Sequence, residues 1–215
     1  MIESATGIIL RTQPFTETSL IVQWLTPNFG RVSTVAKGAR RPRSPFAGKL
    51  DLFYEADFSF SRSRRGELHT LREVSLRKIN SALREDILKL RQAAYAAAFI
   101  AQTTEVETPL AAIFELLQNF LKAVTSHEAA PQTVFAFELK MLHELGLEPD
   151  WSQTALSAGT KKVTEALLQR DFASGFGVKL AASQASELRQ FLHGFIIFHL
   201  GKLPRGRAQA LSGHD

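Results

Sequence analysis

Residues 50–61, LDLFYEADFSFS, carry a hydrophobic side chain at every second position, and this alternation decides the fold of the first third of the chain. One face consists of Leu50, Leu52, Tyr54, Ala56, Phe58 and Phe60. The other face consists of Asp51, Phe53, Glu55, Asp57, Ser59 and Ser61. A period of two residues is typical of a half-buried β-strand. The stretch therefore predicts one long strand.

Four further segments have the same strand-like pattern. They are TGIILRT (6–12), SLIVQWLT (19–26), GRVSTVAKG (30–38) and ELHTLREVSL (67–76), with a turn signal at TPNFG (26–30). Five short strands within about 70 residues favour a small closed barrel over an open sheet, because closure leaves no exposed edge.

Near residue 80 the period changes to that of helices. Asn80 and Ser81 are suitable caps for a helix to about residue 104, and Thr108-Pro109 for a second to about 125. Further helices are predicted at about 131–145, 163–169 and 184–200. We predict an α+β protein with a barrel domain at 1–79, an all-helical domain at 80–215, and an irregular segment at 147–182.

Composition limits the class of protein. The longest apolar run, Ala93–Ala101, is far shorter than the roughly 18 residues of a membrane span, and the N-terminus lacks the features of a secretory signal. With no cysteine, thiolate catalysis and cysteine-ligated metal sites are impossible. We expect a soluble cytoplasmic protein.

Positive charge is concentrated in the first part of the chain. Residues 1–80 contain 13 Lys and Arg against 7 Asp and Glu, a net charge of +6, whereas residues 81–215 contain 13 against 14, a net charge of −1. Such asymmetry predicts a polyanionic partner for the first part, either nucleic acid or an anionic surface.

Four of these cations lie within seven residues, 37–43, which we call the basic loop. They are Lys37, Arg40, Arg41 and Arg43, and no acidic residue lies among them. Neighbouring prolines and glycines predict a surface loop between two strands. It is either merely solvated or a contact for repeating backbone phosphates, and we favour the second. Other cations of the domain extend the patch: Arg31, Lys49, Arg62, Arg64 and Arg65.

Aromatic residues alternate with these cations, namely Phe15, Trp24, Phe29, Phe46, Phe53 and Phe58. Most are expected in the core, since a barrel of this size needs large side chains inside. Phe46, in the loop, and Phe53, on the polar face of its predicted strand, are the candidates for stacking on unpaired bases.

The sequence contains no catalytic constellation. Asp51, Glu55 and Asp57 share one predicted strand face and raise the alternative of a Mg²⁺-dependent nuclease. Their spacing is not specific for a metal, and we favour a solvated strand face, which normally carries such residues. The six histidines have no metal-ligand spacing, and nucleotide-binding and hydrolase motifs are absent. We predict a non-enzyme without cofactor or metal.

The chain resembles the RecO family of bacterial recombination mediators. The likeness lies in the order and spacing of several short motifs: Gly7–Leu10, Glu17–Leu20, Leu25-Thr26 with Gly30–Val32, Val35–Arg40, Phe137–Leu139 with Leu145–Leu147, and His199–Arg207. It implies an OB-fold barrel followed by a helical domain. It also implies binding of single- and double-stranded DNA, strand annealing, and action with RecR to load RecA on DNA coated by the single-strand-binding protein SSB, in the bacterial cytoplasm and nucleoid.

The resemblance also directs attention to particular residues. The basic loop falls where the family has DNA-contacting cations, and we expect Lys202, Arg205 and Arg207 to help hold a second strand. Some members have a four-cysteine zinc site after the third long helix. The present segment 147–182 cannot form it and is expected to be held by packing alone. The resemblance also implies that the helical domain binds the SSB C-terminal tail, but the three residues before Phe137, Val134, Phe135 and Ala136, include no arginine.

Two further alternatives follow from the charge pattern. An OB-type RNA-binding protein would have the same cations, and a scaffold protein would not use them at all. A preference for RNA over DNA would distinguish the first, and indifference to loop charge the second.

Overall fold

The structure is a computed structural model that describes residues 1–172 and 178–212. Five strands come first in the chain. They are β1 (Ile2–Pro14), β2 (Leu20–Thr26), β3 (Gly30–Ala36), β4 (Glu55–Ser61) and β5 (Leu68–Lys78). Each predicted strand segment therefore contributes to a strand, as expected from alternating β-branched and aromatic residues.

The five strands form a closed barrel in the order β1-β2-β3-β5-β4, with β4 paired back to β1. All pairs are antiparallel except the short parallel pair of β3 with β5, in which Ser33 lies opposite Leu68. This is the strand order of the OB-fold, and helices follow it along the chain. The predicted α+β class and OB-fold barrel are confirmed.

The predicted start of β4 is wrong. β4 begins at Glu55, and not at Leu50 as the alternation indicated. The reason is a turn at residues 52–53, where Phe53 has a φ of 64°, in the left-handed region that interrupts a strand. The Phe53 amide donates to the Ile9 oxygen at 2.8 Å, which ties this turn to the barrel wall.

Aromatic side chains fill the barrel. Trp24 and Phe58 stack with ring centroids 4.1 Å apart, and Phe60 packs 5.7 Å from Phe58. The indole N–H of Trp24 donates to Thr34 Oγ1 at 2.9 Å, so its polar atom is satisfied inside the core. The interior is thus closed to ligands, and binding must use the outer surface or the loops.

A distant segment completes the barrel unit, which comprises Met1–Asn80 and Thr104–Glu115; Ser81–Thr103 and Leu116–Asp215 form the helical unit. The sequence pattern predicts a helical domain from residue 80 onward, and this range includes Thr104–Glu115. Arg31 joins it to β3, because Nη2 donates to the Thr104 oxygen at 2.5 Å and the Arg31 oxygen accepts from the Glu107 amide at 3.0 Å. His69 adds a contact from Nε2 to Glu107 at 2.8 Å.

Gly30 allows the same segment to approach the barrel. It has a φ of 62°, and an added Cβ would lie 1.8 Å from the Thr108 oxygen. We expect Gly30→Ala to lower the free energy of unfolding by at least about 3 kcal/mol, because backbone strain and a clash combine. Gly48→Ala is the matched control, since Gly48 has a φ of 70° with no atom within 4 Å of its added Cβ. Urea denaturation checks both, and equal losses would contradict the close approach.

Each predicted helix is present, but two begin elsewhere: the first starts at Ile87, after the predicted caps Asn80 and Ser81, and the helix predicted at 163–169 starts at Ala158. After a 3-10 turn at Ser81–Arg84 the helices are α1 (Ile87–Thr103), α2 (Ala111–Ser126), α3 (Pro131–Glu144), α4 (Ala158–Gln169), α5 (Ala182–Leu200) and the short α6 (Arg207–Ala210). Asp86, and not Asn80 or Ser81, caps α1, since its carboxylate accepts from the Leu88 amide at 2.7 Å. Within the described residues, no helix is long and apolar enough to cross a membrane.

Polar contacts stabilise the cysteine-free segment 147–182 in addition to packing. Ser157 caps α4, and Glu187 of α5 accepts from the Ser157 amide at 2.6 Å and from its hydroxyl at 2.8 Å. Hydrogen bonds from Thr160 and Ser157 lower the pKa of Glu187. The expectation of packing alone is therefore wrong for the described part of this segment; residues 173–177 lie outside it.

Candidate nucleic-acid interface

The basic loop is a chain of tight turns between β3 and β4. Its amides bond to carbonyls three residues earlier: Ala39 to Ala36, Arg41 to Gly38, and Ser44 to Arg41. Gly38, with a φ of 70°, allows the first of these turns. The backbone of the loop is therefore ordered by its own turns.

The four cations of this loop face solvent. Lys37, Arg40, Arg41 and Arg43 are all exposed, and Lys49 farther along the connection is half-buried. No acidic residue occurs between Lys37 and Leu50. The loop therefore presents several positively charged side chains close together on the surface. Such an arrangement can contact successive phosphates of a nucleic-acid backbone.

Arg40 also fastens the loop to the β1–β2 hairpin. Its backbone amide donates to the Thr18 oxygen at 2.9 Å, and its Nη1 donates to the Thr16 oxygen at 3.2 Å. A guanidinium group has five N–H donors, so this bond leaves capacity for a phosphate. Arg40 thus positions the loop and contributes to its charge.

The predicted stacking rings are both in the core, so that prediction is wrong. Phe46 is only 6% exposed and belongs to the barrel core together with Trp24 and Phe58. Phe53 is 2% exposed, and its carbonyl accepts from the Asn80 side chain at 2.8 Å. The physical reason is that the β3–β4 connection folds back over the barrel and inserts its aromatic residues.

Arg31 does not join the exposed cations, in contrast to the sequence prediction. Its guanidinium is bound to the Thr104 oxygen, as described above, and partial burial lowers its pKa while Glu67 partly offsets this. Arg62 pairs with Glu3 at 3.3 Å and Glu107 at 3.6 Å. Both cations have structural partners in the barrel unit. Arg62 is nonetheless exposed, as are Arg64 and Arg65.

The C-terminal cations fall into two groups. Lys202 and Arg205 are exposed, but Arg207 is 5% exposed and forms two bonds to Glu138, at 2.6 Å and 2.9 Å. Burial alone would lower the pKa of Arg207, but Glu138 outweighs burial and raises it. Arg207 therefore belongs to the core of the helical unit, and its predicted role as a surface DNA contact is wrong.

The three carboxylates of the nuclease hypothesis do not share a free strand face. Asp51 precedes β4, and Asp57 accepts from Thr6 Oγ1 at 2.6 Å and from Arg77 Nε at 2.7 Å, bonds that lower its pKa. Among the described residues, no group of three His, Asp or Glu side chains could hold a metal ion. The nuclease alternative assumed that the three carboxylates share one strand face, and the structure does not have this arrangement.

A groove beside the basic loop was not predicted from the sequence. This groove has a volume of about 330 Å³ and lies between the β1–β2 hairpin and the loop. Its lining is Phe15, Thr16, Thr18, Ser19, Val35, Lys37, Gly38 and Arg41. The available signal was the position of Phe15 directly after Pro14, where the strand pattern stops.

Fold and surface define a class: an OB-fold protein with a basic loop on its barrel and a helical region after it. Comparison with known protein families supports this class. The family described as recombination protein O, N terminal, matches residues 1–80, and that described as recombination protein O, C terminal, matches residues 84–158. The chain belongs to the RecO family.

Relatives named DNA repair protein RecO support this assignment. The protein of Rhodopirellula baltica is 32% identical over 143 residues, which cover 66% of this chain and 53% of the relative. That of Alkaliphilus metalliredigens is 31% identical over 150 residues, 69% of this chain and 60% of the relative. That of Anaeromyxobacter dehalogenans is 28% identical, with 92% and 91% covered. The matched part thus spans only about half to three fifths of the first two relatives.

Proposed function

We propose that this protein is a DNA-binding recombination mediator that acts in DNA repair. The observation that carries the proposal is the basic loop: four exposed cations without an acid, on an ordered turn of an OB-fold barrel in a chain of the RecO family. Single- and double-stranded DNA both present backbone phosphates, so the same loop would serve both.

Strand annealing requires cations that reduce the electrostatic repulsion between two DNA strands. Two DNA strands repel each other, and a protein that neutralises both lowers the barrier to their meeting. The basic loop would hold one strand, and the exposed Lys202 and Arg205 would help hold the other. Arg207 has no part in this, because its charge is used by Glu138.

The partners belong to the same proposal. As in the resemblance described above, the protein would work with RecR, on DNA coated by SSB, so that RecA is loaded, in the bacterial cytoplasm and nucleoid. The SSB tail is the partner with the least support here, because Val134, Phe135 and Ala136 precede Phe137 without an arginine, and all four are buried.

An annealing assay tests the proposal. With complementary labelled oligonucleotides at low salt, we expect the protein to accelerate duplex formation. Changing Lys37, Arg40, Arg41 and Arg43 to alanine should slow it by about tenfold or more, because the electrostatic attraction is lost. Lys202→Ala with Arg205→Ala should slow annealing while single-strand binding persists.

The assay needs an RNA competitor. An RNA strand of the same sequence should compete no better than DNA, and strong RNA preference would favour the RNA-binding alternative. Annealing that the protein does not accelerate at all would contradict the proposed function.

A further inference from the structure

The groove beside the basic loop combines three kinds of chemistry. Phe15 supplies an aromatic ring, Lys37 and Arg41 supply positive charge, and Thr16, Thr18 and Ser19 line it with hydroxyl-bearing side chains. Its lining, all within the described part of the chain, contains no carboxylate. Ring, cations and hydroxyls are the groups that bind a base, a phosphate and a sugar.

Phe15 is the exposed ring of this surface. It is 53% exposed, whereas the rings of Trp24, Phe46, Phe53 and Phe58 are all nearly or fully buried. A half-exposed phenylalanine at a hairpin tip contributes little to the core. It is free to take a flat partner on its surface, which the two rings proposed from the sequence are not.

The hairpin tip that carries Phe15 is held in place. The Phe15 amide donates to the Ser19 oxygen at 3.0 Å, and Arg40 ties Thr16 and Thr18 to the basic loop. Thr16 Oγ1 accepts from the Ser19 amide at 3.1 Å and from the Thr18 amide at 3.4 Å. Both acceptor positions of this hydroxyl are therefore used. The hydroxyl can interact with a ligand only as a hydrogen-bond donor.

We propose that this groove binds one unpaired nucleotide of a DNA strand. The base stacks on Phe15, the phosphate lies against Lys37 and Arg41, and the threonine hydroxyls donate to phosphate or sugar oxygens. The volume of about 330 Å³ lies at the small end of ligand sites and suits a single nucleotide. The inference rests on the proposed function and adds to it a preference for single strands.

The preference for single strands follows from the part of the DNA that each side chain can contact. Cations contact the backbone of either form of DNA, but a ring can stack only on a base that is not already stacked and paired. Phe15 should therefore strengthen binding to single strands alone. The remaining loop cations, Arg40 and Arg43, should act on both forms.

The test compares Phe15→Leu and Phe15→Trp in the full-length protein, by anisotropy with a single-stranded oligonucleotide and the corresponding duplex. Phe15→Leu keeps an apolar side chain but removes the aromatic face, so we expect single-strand affinity to fall by about five- to 150-fold, the effect of one stacked base. Duplex affinity should stay within about twofold, and Phe15→Trp should restore single-strand binding.

Phe198→Leu is the matched control, since Phe198 is 83% exposed and belongs to the helical unit; it should leave both affinities unchanged. Equal losses of Phe15→Leu on single strands and duplex, or no loss on either, would overturn the inference while leaving DNA binding intact. If the wild-type protein bound neither form, the proposed function would fail instead. Circular dichroism of each variant confirms that it is folded.

Discussion

Replacing Arg207 with alanine is expected to lower the free energy of unfolding of the helical unit by about 3–5 kcal/mol. Arg207 and Glu138 are 5% and 0% exposed, and the arginine makes two bonds to the carboxylate. The substitution would leave the Glu138 charge buried without its counter-ion. Removal of one member of a buried ion pair is among the most costly single changes in a protein core.

The pair is part of a network that fastens the C-terminal residues to the helices. Tyr95 donates to Glu138 Oε1 at 2.5 Å, and burial together with the Glu138 charge raises the pKa of Tyr95 well above its ordinary value. Gln92 donates to the Ala210 oxygen at 3.3 Å, and Arg189 donates to the Leu211 oxygen at 3.0 Å. Loss of Arg207 should therefore loosen α6, although Gln92 and Arg189 would still hold it.

Thermal denaturation followed by far-ultraviolet circular dichroism, which reports mainly on helices, measures the effect. We expect the Tm of Arg207→Ala to fall by roughly 10–15 °C. Arg205→Ala is the control, because Arg205 is exposed two residues away, and it should shift the Tm by no more than about 2 °C. If the two variants melted alike, the buried ion pair would not contribute as described.

The strands and helices could be predicted from the sequence because their signals are local. Alternation over a few residues marks β2 and β3, and Pro131 and Gly146 mark the two ends of α3. Closure of the barrel also followed, since five short strands without closure would leave open edges.

The positions of Phe46 and Phe53 could not be predicted, because they depend on tertiary structure. Locally, Phe46 stands in a proline-containing loop and Phe53 on the polar side of an alternating run. Both rings are buried because the connection after β3 folds over the barrel, and the left-handed φ of Phe53 is held by bonds to Ile9 and Asn80. Phe15, expected in the core, is the ring left outside.

The burial of Arg207 and Arg31 could not be predicted for the same reason, because it depends on contacts with residues far away in the sequence. Arg205 and Arg207 are equivalent in the sequence, yet Glu138 lies 69 residues before Arg207, so that nothing local indicates which arginine is buried. Arg31 likewise is bound by a residue 73 positions later. The exposed cations of the basic loop, Lys37–Arg43, were predictable because prolines and glycines keep that stretch at the surface.

Removal of the four charges of the basic loop has the second large expected effect. If Lys37, Arg40, Arg41 and Arg43 each contact a phosphate, their loss decreases the slope of log K against log salt by about 4 × 0.7, or roughly 3, on single-stranded DNA. Between about 50 and 200 mM salt, a slope of that size corresponds to a roughly 50-fold change in affinity. The effect should be electrostatic, because these side chains are exposed and their removal leaves the core intact.

The control removes the same charge elsewhere. Lys122, Lys162, Arg170 and Lys179 are exposed in the helical unit, so their change to alanine gives the same net charge without touching the loop. A slope that depends on local phosphate contacts should remain close to the wild-type value in this variant. A slope that depends only on net charge should decrease equally in both.

The most direct measurement is the fluorescence anisotropy of a labelled single-stranded oligonucleotide across a salt series, with wild type, the loop variant and the control variant. We predict a slope shallower by roughly 3 and weaker binding for the loop variant alone. An unchanged slope in the loop variant, with binding as tight as wild type, would contradict the claim that the basic loop of the barrel is the DNA-binding surface.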